Sequence, residues 1–571
     1  MFYRITIGLF FLLSIFFLFF ACKPEENPDT IAPVLMESTP VDGAVSIDLN
    51  TIIKLQFTEK IVLSSNALIL LNNELVTASA TARTLTINAT LLPNTSYTLL
   101  IPNTAVRDVA GNFIKEITIT FTTANSINPE GTVFEAESAT LSAGASVATT
   151  LTNYSGTGYI NTNAGNVTFT INAELAGYYD LKFRYSTSGS QKQNDLYVDG
   201  TKLSSLVFEA VNVWTIINAG KIKLTAGQHS IAIVKNWGYI QLDNMTVTYD
   251  ANGLDPFNID AALVTPSPSA QAVKLYDFLK DNFGTKIISG TMAKHSTNID
   301  EATWVYSQTG KWPALTGFDF IDHTYPDQNW VKYSAPFTLG QDWWNNNGIV
   351  SLIWHWRDPL TKSGAFYTAD TNFDISKVTD TASVEYKAMI VDIDKISGYL
   401  KQFKDAGIPV VWRPLHEASG GWFWWGAKGA APCKALWILM FDRMVNYHGL
   451  NNLIWVWTSD VSTDAPNWYP GDAYVDVIGM DIYPGENQHG SQYISFNKIK
   501  DIFGGKKLIT LSECGSVPDP SSMKEYGDMW SWFMPWNGVY TESEIHNGAV
   551  WWNKFFSYDY VFTRDKMPDL K

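Results

Sequence analysis

Eight short apolar runs recur between residues 287 and 534, and they restrict the fold of this chain more than any other feature of it. They occupy residues 287–290, 314–317, 349–354, 408–412, 453–457, 475–480, 508–511 and 530–534. Runs without polar alternation suit strands covered on both faces, as in parallel sheets. Helical patterns lie between them: Met389, Ile393, Ile396, Leu400 and Phe403 repeat at four and three residues, facing one core, and Gly407 stops the helix. Alternating strands and helices form βα units. Eight such units in about 300 residues are the content of a closed (β/α)8 TIM barrel, which we assign to residues 271–571.

At 571 residues the chain is too long for one hydrophobic core, so further domains must precede the barrel. From 31 to 124, Ile53, Leu55 and Phe57 alternate with Lys54, Gln56 and Thr58, and Ile117, Ile119 and Phe121 alternate with threonines. That is the pattern of half-buried antiparallel strands, with turns at Asn72-Asn73 and Pro93-Asn94, and it predicts a β-sandwich. A second β-rich block runs from 131 to 250, with Asp199-Gly200 as a turn. The fold class is therefore multidomain, with a C-terminal TIM barrel behind two β-sandwiches. Thr265-Pro266-Ser267-Pro268-Ser269 marks 251–270 as a linker or lead-in.

The N-terminus has Arg4 followed by an apolar stretch of 17 residues from 5 to 21, the layout of an export signal and the lower limit for spanning a bilayer. Ala21-Cys22 sits where cleavage would fall, and 22–30 reads as a polar tether. A net charge of −16 removes the electrostatic basis for nucleic-acid binding. Cys433 and Cys514 could pair, but their spacing does not require it, and no zinc pattern is present.

In a TIM barrel the chemistry sits just after the strands. The fourth run leads into Arg413-Pro414-Leu415-His416-Glu417, the sixth into Asp481-Ile482-Tyr483-Pro484, and the seventh into Ser512-Glu513-Cys514-Gly515. Two carboxylates, Glu417 and Glu513, thus reach one rim from opposing strands. Glycoside hydrolysis needs such a pair in unlike environments, one protonated and one ionised. The aromatic cluster Trp422-Phe423-Trp424-Trp425 would raise Glu417 by desolvation, while Arg413 or Tyr483 could hold Glu513 ionised. Of 22 tryptophans, 20 lie between Trp304 and Trp552, enough to line a saccharide cleft as well as the core. Asp319 and Asp358 lie near rim ends without a role beyond an ordinary salt bridge.

Trp412-Arg413-Pro414-Leu415-His416-Glu417, Gly421-Trp422-Phe423-Trp424-Trp425 and Ser512-Glu513-Cys514-Gly515 resemble glycoside hydrolase family 26, over about residues 267–571. That resemblance implies retaining double displacement with Glu417 as acid/base and Glu513 as nucleophile, and no cofactor for catalysis. It also implies substrate contacts from His355, Trp356, Arg413, His416, Trp422, Tyr483 and Trp536. The activity it implies is an endo-β-1,4-mannanase acting on mannan, glucomannan or galactomannan. Alternatives are an exo-acting mannobiohydrolase, a β-1,3-xylanase or mixed-linkage glucanase of the same family, or a non-catalytic glycan-binding surface lipoprotein.

Phe134-Glu135-Ala136-Glu137, the stretch 154–159, Asp195 to Gly200 and Trp237 to Asn244 resemble carbohydrate-binding modules of families 6 and 35. The resemblance implies a structural calcium on Glu135, Glu137 and Asp243, hard oxygen donors suited to that ion. Tyr159 and Trp237 are the candidates for stacking on sugar. Thr39-Pro40-Val41-Asp42-Gly43-Ala44 and Asp108-Val109-Ala110-Gly111-Asn112 resemble bacterial Ig-like spacer domains. Ala21-Cys22 followed by Lys23-Pro24-Glu25-Glu26 looks like a surface-exposed Bacteroidetes lipoprotein leader. That implies lipid on Cys22 and an outer-membrane, cell-surface location.

Overall fold

The computed structural model describes residues 29–571 except 93–94, 125–130, 143, 252, 254–256, 295, 327, 363–364 and 463. The export segment, Cys22 and the turn Pro93-Asn94 lie outside the described residues. The chain divides into two compact units, 1–127 and 128–571. In the first, a four-stranded and a five-stranded sheet enclose a core that includes Ile53, Leu55, Phe57, Leu99 and Phe121. The strand Ile53–Phe57 alternates buried and exposed residues along its length, as its sequence predicts.

In the second unit, residues 132–250 form a sandwich of a six-stranded and a five-stranded sheet, with Phe169, Leu181, Phe183, Leu196 and Leu242 in its core. Behind it stands the barrel: β1 (Ile287–Met292), β2 (Leu315–Asp319), β3 (Ile349–Trp354), β4 (Val410–Pro414), β5 (Leu453–Ser459), β6 (Val477–Ile482), β7 (Leu508–Cys514) and β8 (Trp532–Pro535). All pair in parallel with their neighbours, and β1 joins both β8 and β2, so the sheet closes on itself. Each expected apolar run is one of these strands. The helix Val384–Asp405 buries Met389, Ile393, Ile396, Leu400 and Phe403, and its first turn is capped by the Ser383 hydroxyl accepting from the Tyr386 N–H.

The sandwich is docked on the barrel. The helix Tyr493–Ile502 projects Tyr493 and Ile494 into the sandwich core, and Gly490 lies so close to the Lys202 carbonyl that a Cβ there would stand 2.4 Å from it. The segment expected to act as a linker is also fastened to the barrel. The Asn258 N–H donates to the Gly505 carbonyl, the Val264 N–H donates to Asp476 at 2.7 Å, and Phe257 packs on Phe283 and Phe496. Cys433 and Cys514 are both buried and unpaired.

Candidate active site

Strands β6 and β7 run beyond their apolar stretches, and a register shift after Met480 sets Asp481 opposite Glu513 at the barrel rim. Glu513 is buried within β7; Tyr483 donates to its Oε2 at 2.7 Å and Arg413 Nη2 pairs with its Oε1. Arg413, also buried, donates as well to Asp481 Oδ2 at 2.9 Å and Thr458 Oγ1 at 3.0 Å. One planar guanidinium thus fixes two carboxylates from adjacent strands. Ser512 holds the other Asp481 oxygen at 2.7 Å.

Glu417 stands on the turn that leaves β4, half-buried, with left-handed backbone at φ 53°, and Leu415 has φ 51°. Such values are sparsely populated by non-glycine residues and are held only where the surroundings impose them. Trp422 Nε1 donates to Glu417 Oε2 at 3.0 Å. One oxygen each of Glu417, Asp481 and Glu513 lies within 4.8 Å of the others. Burial raises the pKa of Glu417, and the nearby Asp481 charge adds to the effect. Burial raises Glu513 too, and although the Arg413 guanidinium and the Tyr483 hydroxyl oppose it, the Glu417 charge adds to it and the carboxyl stays above its usual value. With direct donors on both its oxygens, Glu513 has the more extensive support for a negative charge.

A second chain of contacts comes from β2 and β3. Asp319 accepts from the His355 N–H at 3.0 Å and from His355 Nδ1 at 2.6 Å, and His355 Nε2 meets His416 Nε2 at 3.1 Å. Burial disfavours a charged His355, yet Asp319 outweighs it and raises the pKa above the usual imidazole value. Burial, then the neighbouring His355 and Arg413, hold His416 well below it. Beside them a cleft of about 460 Å³ is lined by Lys294, Asp322, Trp330, His355, Tyr367 and Trp536, among others.

His355, Arg413, His416, Trp422, Tyr483 and Trp536 are thus brought around the two carboxylates. Trp356 is not. It is fully buried, stacks on Trp354 with centroids 4.1 Å apart, and donates to Asp392 at 2.9 Å. His355 faces the rim, so the next side chain turns back into the wall. Asp319, to which the sequence assigns nothing beyond an ordinary salt bridge, orients His355; its place as the last residue of β2 is the available signal.

In the sandwich, Tyr159 is 2% exposed, bonded to Thr150 at 2.8 Å and packed edge-on against Trp214, so it is a core ring and offers no face to sugar. Trp237 is 61% exposed. The Glu135 and Glu137 carboxyls converge on the turn at Gly156, and Glu137 Oε2 is buried without a partner among the described residues, which suits a cation. Asp243 is already ion-paired with Arg184.

Residues 264–566 match the description of Glycosyl hydrolase family 26, 132–249 that of carbohydrate binding module family 35, and 29–123 that of a bacterial Ig-like domain. A mannan endo-1,4-beta-mannosidase of Thermothelomyces thermophilus is 36% identical over 76% of this chain and 90% of its own length. The crystal structure of a Podospora anserina GH26-CBM35 β-(1,4)-mannanase is 34% identical, with a TM-score of 0.53, over 78% of this chain and all of the other. A β-mannanase from a symbiotic protist of the termite Reticulitermes speratus, complexed with gluco-manno-oligosaccharide, is 42% identical, with a TM-score of 0.52, over 55% of this chain and all of the other.

Proposed function

The chain belongs to glycosyl hydrolase family 26, and from that premise we propose that it is a retaining endo-β-1,4-mannanase, with Glu417 as acid/base and Glu513 as nucleophile. Glu417 protonates the glycosidic oxygen as Glu513 attacks the anomeric carbon, so the leaving sugar departs neutral and a covalent glycosyl-enzyme forms. Glu417, now ionised, takes a proton from water, which attacks the same carbon and releases Glu513. The observation that carries this reading is the approach of Glu417 and Glu513 oxygens to within 4.8 Å, with a guanidinium and a phenol donating to Glu513 and a single neutral indole donating to Glu417. Retaining pairs stand about 5–5.5 Å apart, inverting pairs about 6.5–9.5 Å, because the latter must admit a water. His355, Arg413, His416, Trp422, Tyr483 and Trp536 surround the cleaved sugar. Mannan, glucomannan and galactomannan are the proposed substrates, on the printed activities of the relatives. Proton NMR of the new reducing end, taken before mutarotation, tests the mechanism: the β-anomer is expected first, and the α-anomer first would overturn it.

The family 35 module is proposed to hold a calcium ion on Glu135 and Glu137, which would tie its first strand to the turn at Gly156; Asp243, paired with Arg184, is the weaker donor. Melting the full chain with and without chelator tests this, and unchanged melting would remove the ion from the account. Export and lipid attachment at Cys22, with an outer-membrane location, remain our reading of the N-terminal sequence. Metabolic labelling with a fatty acid, lost in Cys22→Ala, tests it.

A further inference from the structure

We propose that Asp392 is a positioning residue for the acid/base: through two arms that meet on residues 421–425, it keeps the Trp422 indole bonded to Glu417. This rests on the acid/base reading of Glu417. Asp392 belongs to the buried row of the helix Val384–Asp405, 1% exposed, in line with Met389, Ile393 and Ile396. A carboxylate is seldom fully buried in such a row unless it is paired. Its two oxygens serve different parts of the rim. Oδ2 accepts from Trp356 Nε1 at 2.9 Å, and Oδ1 is ion-paired with Lys362.

The first arm runs through Trp356. Its carbonyl accepts from Trp424 Nε1 at 2.6 Å, and the two indoles pack edge to face with centroids 5.0 Å apart. The second arm runs through Lys362, in the turn that follows β3. Lys362 has left-handed backbone at φ 51°, and its N–H donates to the Asp358 carbonyl at 3.0 Å. Asp358 gathers the same turn: its Oδ1 accepts from the Leu360 and Thr361 N–H groups at 2.8 and 3.0 Å, and its own N–H donates to the Ala365 carbonyl at 2.7 Å. Backbone bonds then lace this chain to the segment that carries Trp422. The Thr368 N–H donates to the Trp422 carbonyl at 2.6 Å, the Thr368 hydroxyl to the Gly421 carbonyl at 2.8 Å, and the Trp424 N–H to the Phe366 carbonyl at 3.1 Å. Tyr367 stacks on Phe423 with centroids 5.5 Å apart. Both arms therefore end on the segment whose half-exposed indole donates to Glu417 Oε2. Phe366 and Tyr367 also line the cleft beside His355, so the second arm sets one of its walls.

The consequence for Glu417 has a definite sign. The Trp422 bond favours its ionised form and draws its pKa down, against burial. Loosening that bond lets the carboxyl rise. Glu417 is faced as well by Asp481, Arg413, His355 and Glu513, and all four are left unchanged in the variants below.

The test uses the full-length enzyme and the variants Asp392→Asn and Lys362→Met, each of which removes one charge of the pair and leaves the side-chain shape nearly unchanged. On galactomannan each should lower kcat/KM by about tenfold, the scale of a small misplacement at a reacting group. Each should also move the alkaline limb of the kcat/KM–pH profile up by about half a unit, because that limb reports Glu417 in the free enzyme. The double variant should do no more than either single one, since both act through one pair. With Trp422→Phe, where the indole bond is already gone, neither should move the limb further. A merely structural loss lowers melting and activity without touching the limb, so a limb that stays in place in both variants overturns the proposal. If Asp392→Asn does not fold, Lys362→Met alone decides it. Wild-type turnover of galactomannan by Glu417→Gln would instead sink the acid/base reading on which the proposal rests.

Discussion

Arg413 is the side chain on which the electrostatics of the site turn: it is ion-paired with Glu513 and Asp481 together, while Glu417 makes no ion pair among the described residues. Replacing Glu513 by Ala is expected to cut turnover by several orders of magnitude on every substrate, with partial rescue by azide, because no glycosyl-enzyme can form. Glu417→Gln should slow unactivated saccharides far more than aryl glycosides with good leaving groups, since only the former need its proton. Asp481 adds to the upward shift of Glu417, so Asp481→Asn should lower the pKa of Glu417 and move the alkaline limb of the kcat/KM–pH profile to lower pH. A limb that stays put or moves up would separate Asp481 from that limb. At this scale the cluster was legible because its members follow apolar strands at one rim. Which way a residue turns on leaving a strand was not, and Trp356 was misplaced for that reason. Tyr159 failed differently: an aromatic in a β-rich block fits core and ligand face alike until the sheet is closed around it.

Among the elements, every barrel strand was legible as an apolar run, but β6 and β7 extend past theirs because the paired ladder continues through polar Asp481 and Glu513. No apolar pattern can reveal that continuation. The helix Tyr493–Ile502 carries a further role that its sequence does not disclose, since Ile494 packs into the sandwich core and would look the same packing on its own barrel. Ile494→Ala is expected to cost about 2–5 kcal/mol, the usual range for truncating a fully buried aliphatic side chain. A urea midpoint near wild type would show the junction to be loosely packed. Because that core is shared, calorimetry should show the module and barrel of the parent enzyme unfolding in one transition.

Across the whole molecule, the sequence foretold the order of two sandwiches and a barrel, since each has its own periodicity. It did not foretell the fusion of module and barrel, because residues 251–270 have a linker's composition while their backbone bonds to the barrel. Both carboxylates and the side chains that hold them belong to the second compact unit, so a chain beginning at residue 128 should keep the wild-type kcat/KM on soluble galactomannan. A large loss would assign the Ig-like unit a part in catalysis. The two buried, unpaired sulfurs carry a consequence for redox chemistry. Burial pushes the Cys433 thiol up to about 12 and Cys514 well above the usual thiol range, so neither offers a thiolate to an oxidant or a partner cysteine while the protein is folded. The described domains therefore need no oxidising step to mature and should behave alike in reducing and oxidising media. A thiol reagent will label these two positions only as fast as the barrel opens, which makes the sulfurs a clock for unfolding.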